Sequence, residues 1–325
     1  MKKVRILAGV VAAVSLAVLV HRIGLAAVAA QLHNLRAVLP IVLLAGLVRL
    51  LLQTRAWYVA LRADGIHGPQ SRLLAVRLAS QAAGYLSALG PVVTEPAKLV
   101  LLRNGGGMAA AVPATLVETG TYWFTTVILG LAGTCAAAFL IADGRAVWAV
   151  ALFGVALPLL AARHSLLSPL VRAAGRRAPK WLRSAEAVEL RVRSFRDRQP
   201  RAAGRVLALD SIAQLVTLAE VAAVLWAAGI RFSALHVLAL EAAGRMVKIL
   251  GAWIPGRIGA DEGGAADSFA LLGLPPAAGL MLVLARRVRD LLSCAAGTVW
   301  AASSTARRPA PGPRTGPVSL CGEEP

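Results

Sequence analysis

Three cysteines in 325 residues, at 135, 294 and 321, are too few and too far apart for a disulfide framework, and no CxxC pair occurs. Cys135 and Cys294 fall inside apolar stretches, where a thiol serves as a small packing residue. The five histidines (21, 33, 67, 164 and 236) are scattered and make no HExxH spacing, so neither a metal nor a cofactor is expected. Aromatic residues are only 5% and are not interleaved with the basic ones, which excludes a base-stacking nucleic-acid surface despite a net charge of +19. There is no GxxxxGK[ST] loop, no GxGxxG between a strand and a helix, and no GxSxG elbow. Ser211 and Ser268 adjoin Asp210 and Asp267, and Asp261 adjoins Glu262, but adjacency along the chain is not catalytic geometry. The expectation is a protein that is not an enzyme.

What the sequence has in excess is apolar surface. Hydrophobic residues are 58% and the mean hydropathy is +0.68, above the roughly 45–50% of soluble domains. A span needs about 20 mostly apolar residues, and six candidates read as spans: 6–22, 37–61, 109–140, 146–162, 206–229 and 276–300. The first, behind Lys2, Lys3 and Arg5, is expected to be an uncleaved span rather than a signal peptide cut near Ala27-Val28-Ala29.

Charge bias then sets the topology. Residues 163–205 carry 12 Arg or Lys against Glu186, Glu189 and Asp197, so this loop and both termini are expected in the cytoplasm of a bacterial inner membrane. Contact with anionic headgroups accounts for such a loop. The stretches 73–102 and 234–272 are apolar but interrupted at Gly90-Pro91 and Pro255-Gly256, and read as re-entrant helical hairpins. The chain therefore divides into a membrane domain, 1–303, and a tail, 304–325, expected to be disordered.

Two segments align at an offset of 168. Gly90-Pro91, Glu95, a short helix and Ala109 to Glu118 match Pro255-Gly256, Glu262, a short helix and Ala277 to Arg286. The topology places one break on each side of the membrane, as in inverted-repeat transporters, against chance likeness between Ala/Gly-rich segments.

A charge at the bilayer centre costs at least about 2.5–3.5 kcal/mol, so ionisable residues within apolar segments face a cavity or a partner. Here they are Arg49, Arg77, Glu95, Lys98, Glu118, Asp210, Glu220, Glu241, Arg245, Lys248, Asp261, Glu262, Arg286, Arg287 and Asp290. For each, structural pairing and substrate contact are both open. Arg286 and Asp290 stand i,i+4 and read as a mutually neutralising pair. Gly256, Gly259, Gly263 and Gly264 either serve the hairpin turn or bare the backbone to a phosphate beside Arg257.

The stretches Glu95-Pro96-Ala97-Lys98 through Arg103 and Trp253-Ile254-Pro255-Gly256-Arg257 through Gly263, with Ala285-Arg286, resemble the lysylphosphatidylglycerol synthase transmembrane-region family of flippase-like proteins. The chain departs from the family pattern at Val93-Thr94 and Arg257, where glycines are usual. The resemblance implies an all-α polytopic bundle with two hairpins that translocates or binds a phospholipid or glycolipid headgroup. Bifunctional members add a soluble aminoacyltransferase domain, which the 22 residues 304–325 are too few to supply. A non-catalytic scaffold for an envelope-lipid-modifying enzyme is the alternative, and an intramembrane lipid-modifying enzyme the third. Membrane lipids, and in the scaffold reading that enzyme, are the expected partners. The expected substrate-binding residues are Glu95, Lys98, Arg103, Glu118, Arg257, Asp261, Glu262 and Arg286, with Gly90, Pro91, Pro255, Gly256, Gly259 and Gly263 as hinges. Glu95, Arg257, Glu262 and Arg286 are expected to converge on one cavity.

Overall fold

A computed structural model describes residues 25–86, 90–102, 108–141, 179–251, 257 and 259–306. Among them are nine helices and no strand. In chain order these are α1 (Leu25–Ala63), α2 (Gln70–Leu86), α3 (Gly90–Leu102), α4 (Met108–Ile141), α5 (Lys180–Arg198), α6 (Pro200–Ala227), α7 (Ala234–Leu250), α8 (Ala260–Leu271) and α9 (Pro276–Ala306).

Three segments are long and apolar enough to cross a membrane: Val38–Ala63, Ala111–Ile141 and Pro200–Ala227. They fall where spans were expected. The expected span 276–300 is the helix α9, long enough to cross but crowded with Arg286, Arg287, Arg289 and Asp290. The candidates 6–22 and 146–162 lie outside the described residues. Both interrupted stretches form helix pairs in contact, α2 with α3 and α7 with α8. Gly90 opens α3 with Pro91 behind it; proline suits a helix start because its missing N–H is not needed there. The basic connection contains a helix, α5, whose Val188 and Val192 face Gly120 of α4.

The helices fall into two halves with the same plan, α1–α4 and α6–α9. Setting α5 aside, each broad contact in or between the halves has its counterpart: α2 packs on α9 and α7 on α4, α1 on α9 and α6 on α4, while α1 and α6 pack on each other. Local chemistry repeats with it. Gly65 after α1 and Gly229 after α6 both take positive φ (80° and 67°). Each closes its helix identically. Ile66 N–H donates to Leu61 O at 2.9 Å and Ile230 N–H to Leu225 O at 3.0 Å, with the isoleucine packed on the core. A left-handed glycine followed by an apolar residue is the helix-ending motif that satisfies the last carbonyls.

The cross-half contacts rely on missing side chains. A Cβ at Gly133 of α4 would collide with the carbonyl oxygen of Leu238 in α7, and one at Gly297 of α9 with that of Leu78 in α2. Small residues let membrane helices approach backbone to backbone, where dispersion replaces the hydrophobic effect.

Polarity runs opposite to that of a soluble protein. Leu44, Leu47, Leu51, Trp123, Val127, Leu215 and Trp226 are exposed, whereas Arg77, Lys98, Glu118, Asp210, Glu220, Glu241, Glu262 and Arg289 are buried. Such an apolar perimeter around charge is what a lipid solvent selects.

Gly133→Ala and Gly297→Ala should each cost about 1–3 kcal/mol through overpacking, read as a lowered midpoint of thermal unfolding in detergent. Gly130→Ala on the same helix, where an added Cβ meets nothing within 4 Å, should not lower the midpoint, since alanine is the better helix former.

Candidate functional site

Each half wraps its helices around an ionic network. In the first, Arg77 of α2 donates to Glu118 Oε1 of α4 at 2.7 Å and to the carbonyl of Gln53 in α1 at 2.8 Å. Lys98 of α3 reaches Glu118 Oε2 at 3.5 Å and Glu95 at 2.8 Å, and the Thr119 hydroxyl donates to Glu95 at 2.9 Å. The Lys98 ammonium also stands 5.8 Å above the Trp57 ring, whose N–H donates to Thr115 at 3.0 Å. Four helices are thus tied through four charged side chains.

In the second half Arg286 of α9 bridges Glu220 of α6 (2.5 Å) and Glu241 of α7 (3.0 Å). Arg289, one turn on, binds the other oxygen of Glu220 at 2.7 Å and Asp290 at 3.1 Å. Arg245 joins Glu241 at 3.0 Å and Gln214 at 2.6 Å, and Gln214 in turn donates to Thr126 of α4 at 2.9 Å.

The two networks are pseudo-equivalent with their signs exchanged. Arg77 on α2 corresponds to Glu241 on α7, and Glu118 on α4 to Arg286 on α9. The bond between the hairpin and the long helix is preserved while its polarity is reversed.

Beside the second network opens a narrow cleft. Tyr85 at the end of α2, Gly244 and Lys248 of α7, Arg257 ahead of α8, Asp261 and Ser268 within α8, and Arg286, Arg287 and Asp290 of α9 stand in its wall. Arg257 has φ 51°, the one positive φ outside glycine among the described residues, a conformation costing about 1–3 kcal/mol unless its surroundings enforce it. Its guanidinium is held by Asp261 at 3.2 Å. Glu262 accepts the Gly259 N–H at 2.8 Å, capping α8, and pairs with Arg287 at 2.9 Å.

Of the residues expected to bind substrate, Arg257, Asp261 and Arg286 line this cleft, with Glu262 behind its wall. Glu95, Lys98 and Glu118 belong to the first network, so Glu95 does not share the cleft. Arg103, Pro255 and Gly256 lie outside the described residues; Gly259 and Gly263 open α8 and Gly90 and Pro91 open α3. The i,i+4 pairing of Arg286 with Asp290 does not form. Glu220 and Glu241 approach Arg286 from two other helices, and Asp290 takes Arg289 instead.

Sequence reasoning passed over Arg289, which is 6% exposed; a third arginine within four residues of an apolar helix was the available signal. Lys248 was noted only as an intramembrane charge. Arg49 and Lys248 make no hydrogen bond or ion pair among the described residues, although Arg49 acts electrostatically on Glu220, Arg289 and Asp290.

Apolar spans enclosing charge networks, with hairpins packed across two like halves, define a polytopic helical membrane protein. The family described as lysylphosphatidylglycerol synthase TM region matches residues 5–297, nearly the whole chain, and the protein belongs to that family. No curated protein and no solved structure matches it.

Removing one partner of a buried pair strands the other, at about 3–5 kcal/mol, whereas apolar replacement of both is close to neutral. Glu118→Leu should therefore destabilise by that amount in denaturant titrations in detergent micelles. Adding Arg77→Met should recover more than half of the loss, because Lys98 keeps Glu95.

Proposed function

We propose that this protein binds the headgroup of a membrane phospholipid in the α7–α9 cleft and carries it between leaflets. The observation that carries the reading is the cleft's charge. Around it Arg245, Arg286 and Arg289 are balanced by Glu220, Glu241 and Asp290, and Arg257 and Arg287 by Asp261 and Glu262. Arg49 and Lys248 remain in surplus, and of the two only Lys248 lines the cleft, where the single negative charge of a phosphodiester is its complement.

Arg257 and Arg287 present planar guanidiniums that bond phosphate oxygens in pairs. Asp261 keeps its Oδ1 without a hydrogen bond, an acceptor suited to an amine or hydroxyl on the same headgroup. Membership of the family supports a lipid role, and the two like halves supply the means of opening the cleft to alternate sides, as inverted repeats do elsewhere. Arg286 holds two buried carboxylates together and is the wrong residue with which to test binding.

In vesicles carrying fluorescent phosphatidylglycerol or its lysyl ester, bleaching of the outer leaflet by dithionite reports translocation. Lys248→Gln should slow it by roughly ten- to a hundredfold, because a bond to a charged group is worth about 1.5–3 kcal/mol. A folded variant with the wild-type rate would sink the proposal.

The same reading places the 163–205 connection in the bacterial cytoplasm, where the basic bias belongs. A single cysteine introduced as Ser184→Cys, with the three native cysteines replaced, should resist a membrane-impermeant maleimide added to intact cells and react after lysis.

A further inference from the structure

Asp210 lies ten residues into α6, about 15 Å from the helix start at 1.5 Å per residue, in a segment long and apolar enough to cross the membrane. It is fully buried, and neither carboxylate oxygen has a hydrogen-bond partner. No other carboxylate among the described residues has both oxygens buried and unpartnered. One turn before it, Val206 packs into the apolar cluster of Trp57, Ala60, Leu61, Ala111 and Ala114. The charged groups that act on it come from three helices: Glu118 of α4, Arg77 of α2 and Lys98 of α3. Both cations are already bound to Glu118.

Counting the first network with Asp210 gives two cations, Arg77 and Lys98, against three carboxyls, Glu95, Glu118 and Asp210. One proton closes the balance. In the other half the position equivalent to Asp210 is Gly46 of α1, and there the side chain of Arg289 lies across the glycine. Where one network has a bonded arginine, the other has a carboxyl with nothing bonded to it. A buried carboxylate without partners is costly, and such a group neutralises instead.

We propose that Asp210 is the proton-binding site that couples lipid movement to a proton gradient, an inference that rests on the translocation reading above. In the arrangement described, Asp210 is the neutral acid. When the helices around the first network rearrange and water enters, its O–H bond breaks and the proton passes to water. The resulting carboxylate takes Arg77 from Glu118, which keeps Lys98. Reprotonation from the opposite side returns Arg77.

The test has two independent readouts. Infrared spectra of the reconstituted protein at neutral pH should contain the C=O stretch of a protonated carboxyl, lost in Asp210→Asn and displaced in Asp210→Glu. This measurement needs no lipid substrate, so it stands or falls apart from the translocation reading. In vesicles carrying fluorescent phosphatidylglycerol, a pH gradient should accelerate dithionite-measured translocation by the wild type. Asp210→Asn, a neutral isostere that preserves the packing, should translocate at a rate indifferent to the gradient. An ionised Asp210 at neutral pH, an Asp210→Asn variant that still responds to the gradient, or a sodium gradient that replaces protons would overturn the proposal.

Discussion

A charge placed among membrane helices must be met by an opposite charge, because hydrocarbon supplies neither water nor counterion. That requirement organises this fold more than apolar packing does. Apolar contacts between helices gain little over contacts with lipid tails, so they cannot by themselves select one arrangement. Arg286 is satisfied only when α6, α7 and α9 meet, and Arg77 only when α1, α2 and α4 do. Each network specifies a set of neighbours that a stripe of leucines would leave undetermined, and the glycines at 133 and 297 let the backbones close to the distance the networks need.

The two halves repeat in plan but not in sign. Duplication of a helical unit would place like charges at like positions, and here the hairpin carries Arg77 in one half and Glu241 in the other. Reversal keeps each pair internally neutral and removes repulsion between the networks. It also frees the networks to differ in what stands unbonded beside them: two cations, Arg49 of α1 and Lys248 of α7, at the second and one carboxyl, Asp210 of α6, at the first.

Much of the scaffold was legible in the chain. Runs of apolar residues marked α1, α4 and α6, Gly90 and Pro91 marked the start of α3, and the offset of 168 between Glu118 and Arg286 marked the repeat. The Gly-Ile pairs at 65 and 229 were a further signal of the same repeat, at offset 164 because the connections differ in length. The pairings were not legible. Arg286 has a carboxylate four residues away in sequence and ignores it, because side chains 45 and 66 residues distant converge from neighbouring helices. Local spacing speaks only for contacts within one helix. The strained backbone at Arg257 was equally silent, since its neighbours Gly256 and Gly259 offered easier places for a turn.

The division of surplus charge also bears on how a near-symmetric scaffold does directional work. If both halves were alike, exchanging their conformations would return an equivalent state, and a lipid would face equal free energies on either side. On the proposed reading, cations without partners make one network sensitive to an anionic headgroup, and a carboxyl without a partner makes the other sensitive to protons. The helices that bear them are in contact: α6 carries Asp210 in one network and Glu220 in the other, ten residues along the same rod. A shift of α6 that exposes Asp210 therefore also moves Glu220 against Arg286 and Arg289, whose neighbours line the cleft. On the proposed reading, coupling needs no further device than this helix, because one rigid element belongs to both networks and each ligand biases its position.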